Sequence, residues 1–248
     1  MLKRTAHLAN RWKLPTAALR FLEFHDPQWI IGADEVGYGA LAGPYAVGSF
    51  IAPIEWGMEG VKDSKKFSTS SAREKVRDRL AVEPSTAYRI VYASNERIDS
   101  EGRVPVLESI FAAAVNGLLS YTGLDPTREV LILLDGEVRV PFTHFSMAKA
   151  DVHVPVVSAA SILAKCARDT WMCNNHVDWP QYEWNDNKGY GTPAHLRALQ
   201  QHGPSPLHRR SYEPVKSMTL RGDMGQRGAL AVEPLTATLQ EHHAFRKP

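Results

Sequence analysis

The sequence predicts a domain of the α/β or α+β class built on a central sheet. Three observations carry that reading: the apolar runs WIIGA and VLILL have strand length, each is followed closely by an acid, and strand-like and helix-like stretches alternate without internal repeats. Of the 248 residues, 44% are hydrophobic and 23% charged, ordinary globular usage that excludes a disordered chain. Even LESIFAAAVNGLL is interrupted by Glu108 and Asn116, so no spanning helix is expected. Cys166 and Cys173, seven residues apart on one helix face, make neither a disulfide framework nor a zinc site; a reducing, cytoplasmic setting is expected. The net charge of +2 permits a polyanionic partner without requiring one.

Residues 1–23 carry Lys3, Arg4, Arg11, Lys13 and Arg20 and no acid before Glu23. They read as an N-terminal extension forming a solvated helix, a transit peptide being the alternative. From Trp29, WIIGA reads as a buried strand delivering Asp34 and Glu35, and YAVGSFIA as a second strand in a hairpin-like pair with it. Ser71-Ala-Arg-Glu74 has the pattern of a capping box opening a helix to about Leu80. AYRIVYA alternates as a strand does. Pro105 suits the first turn of a helix running to about Tyr121, with Gly123 just past its end. VLILL is a buried strand ending on Asp135, and VVSAASILAKCARDTWM is helical by composition and length. Thr192 caps a helix that starts at Pro193 and stops at Gly203-Pro204. Residues 217–248, rich in Gly, Pro and charge, read as a loosely attached tail.

A single carboxylate at a strand end is ordinarily a solvated turn residue. Here Asp34-Glu35 and Asp135 follow two buried strands, and Asp169 lies on a helix of small residues. If the two strands are neighbours, their acids converge, and like charges raise one another's pKa unless a cation intervenes. With oxygen donors only, and no His or Cys at zinc spacing, that cation is Mg²⁺ or Mn²⁺, as in phosphoryl-transfer sites. Two triplets, Gly37-Tyr38-Gly39 and Gly189-Tyr190-Gly191, let backbone N–H groups approach a phosphate or sugar. Lys65, Lys66, Lys165, Arg168, Lys188, Arg209 and Arg210 lie within or beside these segments, as a groove tracking a nucleic-acid backbone requires.

Other chemistries fit less well. Gly37-Tyr-Gly-Ala-Leu-Ala42 matches a dinucleotide-binding fingerprint, but Gly43-Pro44 and a strand follow where a helix is needed. Ser161 with His208 and an Asp lacks the nucleophile elbow of a hydrolase triad and sits mid-helix among alanines. His153, His176, His195 and His202 read as surface or internally satisfied histidines.

The segments GADEVGYGALAGP, GVKDSKKFS, LLDGEVRVP, VVSAASILAKCARD and KGYGTPAHLRAL…HGPSPLHRRSYEPV resemble ribonuclease HII, the type 2 ribonuclease H family, in the same order from about Ile30 to Val215. The resemblance implies a ribonuclease H-like fold over residues 24–216: a mixed sheet flanked by helices, with a small helical C-terminal part from about residue 176. It implies that Asp34, Glu35, Asp135 and Asp169 form the catalytic, metal-binding set for two Mg²⁺ or Mn²⁺ ions. Gly37, Tyr38, Gly39, Lys65, Ser161, Lys165 and Tyr190 match positions that touch nucleic acid, Tyr190 packing against the ribonucleotide sugar. The implied substrates are RNA/DNA hybrids and DNA duplexes containing ribonucleotides, cut by a monomer to leave 5′-phosphate and 3′-hydroxyl ends.

Two stretches depart from the family. Its glycine-arginine-glycine triplet is Gly37-Tyr38-Gly39 here, and a phenol has neither the charge nor the donor fork of arginine. Type 3 ribonucleases H also lack that arginine and do not depend on an RNA–DNA junction, although Asp169 and the HRRSY segment point to type 2. The open alternatives are therefore a hybrid nuclease without junction preference and a catalytically weak nucleic-acid binder. The segment Ser100–Val106 also fits the family pattern poorly.

Overall fold

The computed structural model describes residues 2–57, 60–61, 69–221 and 238–240. Lys65 and Lys66, and most of the expected tail, lie outside them. Among the described residues a six-stranded sheet has the order β5-β4-β1-β2-β3-β6. Its strands are β1 (Trp29–Val36), β2 (Tyr45–Pro53), β3 (Ala87–Ala93), β4 (Val130–Asp135), β5 (Phe145–Met147) and β6 (Thr238–Gln240). β1 pairs antiparallel with β2 and parallel with β4, so the sheet is mixed. The pairing Ala33↔Leu134 puts the residues that follow, Asp34 and Asp135, side by side.

Side-chain alternation along the strands divides the interior into two cores. Ile31, Ala33, Val47, Val91, Ile132 and Leu134 face the side covered by α5 (Arg103–Thr122), which buries Val106, Ile110, Phe111, Val115 and Leu118 there. Ile30, Phe50, Ile90, Leu131 and Leu133 face the other side, covered by α7 (Pro155–His176). α7 comes close because its segment is rich in alanine and serine and because the strands present glycine. A Cβ at Gly32 would stand 2.5 Å from the Val157 nitrogen, and one at Gly48 2.4 Å from the Ala160 oxygen.

The sequence reading needs several corrections. The first residues form α1 (Leu2–Trp12) and α2 (Thr16–His25), and they are not a solvated extension: Leu8, Trp12, Leu14, Phe21 and Leu22 are buried in the α7-side core. Leu8 and Trp12, four apart, lie on one face of α1. α3 (Ser70–Leu80) is capped by Thr69, whose hydroxyl accepts from the Ala72 N–H, so the helix starts before Ser71 and the expected capping box does not form. α5 is long and apolar enough to cross a membrane, with mean hydropathy 1.4 in its best window, contrary to the reading that no such helix exists. That apolarity serves the core, since its packed face lies on β2 and β3.

The poorly fitting segment is a corner. α4 (Asn95–Glu101), capped by Ser94, ends at Gly102 with φ +90°, and α5 begins at the next residue. Beyond β4 come β5 and the short α6 (Ala150–His153), both too short to give a sequence signal. After α7 follow a 3-10 turn at Pro180–Tyr182, α8 (Trp184–Asn187), α9 (Pro193–His202), whose cap Thr192 accepts from the His195 N–H, and α10 (Val215–Arg221). Tyr182, Trp184, Leu199, Leu207 and Tyr212 belong to the α5-side core, so this helical part shares its interior with the sheet. α10 runs across the expected start of the tail, and β6 pairs with Tyr88–Ile90 of β3; the tail is not wholly detached.

Candidate metal centre and nucleic-acid interface

Strand alternation aims Asp34 and Asp135 at the α7 side, and Asp34, Glu35 and Asp135 bring carboxylate oxygens within 4.8 Å of one another. Asp34 is buried, the other two half-buried. Burial raises the Asp34 pKa well above the ordinary carboxylate range; Glu35 and Asp135 add to the rise, and a hydrogen bond from Ser161 opposes it. The Glu35 N–H also donates to Asp34 Oδ1 at 2.8 Å, and the Ala150 N–H at the start of α6 donates to Asp135. Three carboxyl groups are thus held together by the fold. Their oxygen-only donor set fits Mg²⁺ or Mn²⁺, and a cation would relieve the repulsion that raises Asp34.

α7 supplies the adjoining wall. Ser161, Lys165 and Asp169 follow one another at four-residue spacing and form one stripe. Ser161 is buried and hydrogen-bonds to Asp34. Asp169 is not gathered into the three-carboxylate group. It pairs with Lys165 Nζ at 2.8 Å and Arg73 at 3.5 Å, on the wall of a cleft shared with Ser70, Glu74 and Lys188. Lys165 also stands 5.5 Å from the Tyr190 ring centroid, so the half-buried Tyr190 borders this stripe.

The expected groove of bases needs revision. Arg168 and Arg209 are fully buried and cannot track a phosphate backbone. Their donors instead hold backbone carbonyls, most of them in the loop between β1 and β2: Arg168 binds the Pro44 and Ala42 oxygens of that loop and the Lys188 oxygen after α8, at 2.9–3.1 Å. Arg209 binds those of Gly37, Tyr38, Gly43 and Pro44 at 2.7–3.2 Å. Burial, and then the charge of Arg168, lower the Arg209 pKa to about 10. Fork-shaped donors suit a loop with several inward carbonyls. Sequence alone does not reveal this role, because arginine is ordinarily a surface residue.

The loop that follows the first glycine-tyrosine-glycine triplet is tied to the second, the Leu41 N–H donating to the Gly189 oxygen at 2.8 Å. Behind the second runs a chain of neutral histidines. The Ser205 N–H donates to His208 Nδ1 at 2.9 Å, which leaves the His208 Nε2 proton for His195 Nε2 at 3.0 Å. His195 Nδ1–H then donates to the Tyr190 oxygen at 3.0 Å. Burial lowers both pKa values, well below the ordinary range for His208. His195 is an internally satisfied histidine, and with His208 it braces the Tyr190 backbone. Of the first triplet, Gly39 is exposed, and the half-buried Tyr38 stacks on Tyr45 at 5.6 Å between centroids.

Acids gathered at the ends of neighbouring strands of a mixed sheet make a candidate divalent-metal site, and the relatives of this chain are ribonuclease H-type hydrolases. The sequence model of Ribonuclease HII matches residues 31–215. Ribonuclease HII of Paracidovorax citrulli (strain AAC00-1) is 34% identical over 234 residues, covering 94% of each chain. This chain belongs to the ribonuclease HII family, whose members are metal-dependent nucleases. Ribonuclease H2 from Pyrococcus horikoshii OT3 has a similar fold, with TM-score 0.58 and 23% identity over 78% of this chain and 98% of that one. Bst-RNase HIII, solved in complex with Mn²⁺, is similar at TM-score 0.59 and 17% identity, covering 82% of this chain and 73% of that one.

Proposed function

We propose that this chain is an endonuclease that cuts the RNA strand of RNA/DNA hybrids, and ribonucleotides embedded in DNA duplexes, leaving 5′-phosphate and 3′-hydroxyl ends. The observation that carries the proposal is the convergence of Asp34, Glu35 and Asp135 on neighbouring strand ends. These three would hold two Mg²⁺ or Mn²⁺ ions, with Asp169 completing the set from α7. Held there, such ions would lower the pKa of a water for in-line attack and offset the charge developing on the leaving 3′-oxygen. No side chain need act as general base.

The chain's own residues orient. Ser161 and the Glu35 N–H fix the Asp34 carboxylate, and the Ala150 N–H fixes that of Asp135. Tyr190, braced by His195, offers a ring to the ribonucleotide sugar, and Lys165 and Lys65 offer charge to the strand. Discrimination from DNA rests on the 2′-hydroxyl, the group that distinguishes the two strands locally. The backbone of Gly37 and Gly39 is the candidate reader of that hydroxyl. Because Tyr38 lacks a guanidinium, preference for a single embedded ribonucleotide over continuous hybrid is lower than an arginine at that position gives. The enzyme acts as a monomer in the cytoplasm; both cysteines are free thiols, as a reducing compartment keeps them.

The test is a comparison of cleavage rates on a continuous hybrid and on a duplex with one ribonucleotide, with chemical analysis of product ends. Cleavage of both, with 5′-phosphate products, is expected. Cyclic-phosphate ends or strict confinement to the single ribonucleotide would overturn the respective part of the proposal.

A further inference from the structure

Arg103 opens α5 at the corner that follows α4. The corner is anchored from below: the Asp99 carboxylate in α4 accepts the N–H groups of Arg210 and Ser211 at 2.8 and 2.9 Å, and Asn95 donates to the Pro206 oxygen at 2.8 Å. Gly102 then turns the chain at φ +90°, and Arg103 comes to lie over the Gly37-Tyr38-Gly39 turn. Its guanidinium is 4.4 Å from the Tyr38 ring centroid and 4.5 Å from that of Tyr212. The Tyr45 phenol is within hydrogen-bonding reach, and the Tyr212 hydroxyl donates to the Tyr38 oxygen at 3.0 Å. Three tyrosines thus cage one arginine.

Two further facts bear on what the cage is for. The side chain is exposed although its faces are covered, so the N–H edges of the fork are what remains available. Among the described residues no carboxylate pairs with it, whereas Arg73, Arg77, Arg97 and Arg128 each have one. The first turn of α5 also contains no acid, so the field there favours an anion. Tyr38 is three residues beyond Glu35, at most about 11 Å of chain from the metal-binding acids.

We propose that Arg103 binds a phosphate of the ribonucleotide-bearing strand beside the scissile position, held for that purpose by Tyr38, Tyr45 and Tyr212. The proposal rests on the nuclease reading and deepens it. The positive charge beside the Gly37-Tyr38-Gly39 turn comes from α5, and the Tyr38 ring is the platform on which it rests.

The experiment measures binding of a duplex with one ribonucleotide across a salt series in EDTA, alongside kcat/KM with Mg²⁺, for wild type, Arg103→Ala, Arg103→Lys and Asp135→Asn. Loss of one phosphate contact flattens the slope of log affinity against log salt by about 0.9. Arg103→Ala is expected to show that flattening, at least fivefold weaker binding at low salt, a raised KM and an unchanged melting temperature. Arg103→Lys should keep the slope and recover part of the affinity. If Arg103→Ala is poorly folded, the lysine variant carries the test, with intact slope and reduced affinity expected. Wild-type affinity and slope in Arg103→Ala would overturn the proposal, as would wild-type affinity in a sole folded Arg103→Lys. Asp135→Asn separates the two readings: it should lose cleavage while keeping Arg103-dependent binding, and cleavage surviving there would overturn the nuclease site and not the arginine contact.

Discussion

Asp34→Asn removes one charge from the carboxylate group and almost no volume, and it separates what the acids cost from what they do. Two full charges at the observed 4.8 Å limit repel by about 3 kcal/mol at an effective dielectric near 20. Asp34 avoids part of that repulsion because burial, with Glu35 and Asp135 adding, favours its protonated form, and because the other two acids are half-exposed. The net relief on substitution is therefore about 1–2 kcal/mol, and at about 2–4 °C per kcal/mol for a chain of this size the melting temperature in EDTA should rise by about 2–8 °C. The asparagine oxygen can still accept from the Glu35 N–H, so local geometry is kept. With metal the order should invert. Wild type gains about 2.7 kcal/mol at a metal concentration a hundredfold above its Kd, and the variant gains little. The assay is thermal unfolding in EDTA, Mg²⁺ and Mn²⁺. A variant less stable than wild type in EDTA, yet equally stabilised by metal, would refute the reasoning.

Further outcomes follow from other parts of the site. Tyr190→Ala should slow cleavage roughly tenfold or more, since nucleotide–aromatic stacking contributes about 1–3 kcal/mol, and Tyr190→Phe should be mild; equal losses in the two would mean that the hydroxyl matters and the ring face does not. His208 is buried neutral, with a pKa well below its ordinary 6.5, so the unfolded chain binds the proton more tightly and the stability from this group, full above that value, is lost as pH falls. Going from about pH 7.5 to about pH 5.5 should cost roughly 1.4 kcal/mol from this histidine alone, read as a fall in melting temperature that is smaller in His208→Gln. Gly32→Ala would place a Cβ against the α7 backbone at 2.5 Å and should destabilise by about 1–3 kcal/mol in chemical denaturation; a neutral effect would mean that α7 is free to move off the sheet.

The legible parts of the fold were those with strong local signals. WIIGA and VLILL are apolar throughout because each strand is covered on both faces, and Thr192-Pro193 marks its helix start by a cap and a fixed φ. The nearness of Asp34 and Asp135 followed only on the condition that their strands pair, which β1 and β4 do. Other features depend on distant partners and leave no local trace. Arg168 and Arg209 are buried because the loop before β2 turns its carbonyls inward, and Arg103 lies over Tyr38 at a corner where Asp99 grips a segment more than a hundred residues away. Thr69, one residue ahead of α3, offered the same capping chemistry as Ser71, and only the backbone geometry separates them.

The most direct measurement is cleavage of the labelled RNA strand of an RNA/DNA hybrid by wild type and Asp135→Asn, each with Mg²⁺, with Mn²⁺ and with excess EDTA. Wild type is expected to cut only with metal, and the variant to bind the hybrid without cutting it under any condition. Cleavage in EDTA, or by Asp135→Asn at a rate near wild type, would contradict catalysis at the Asp34, Glu35 and Asp135 site.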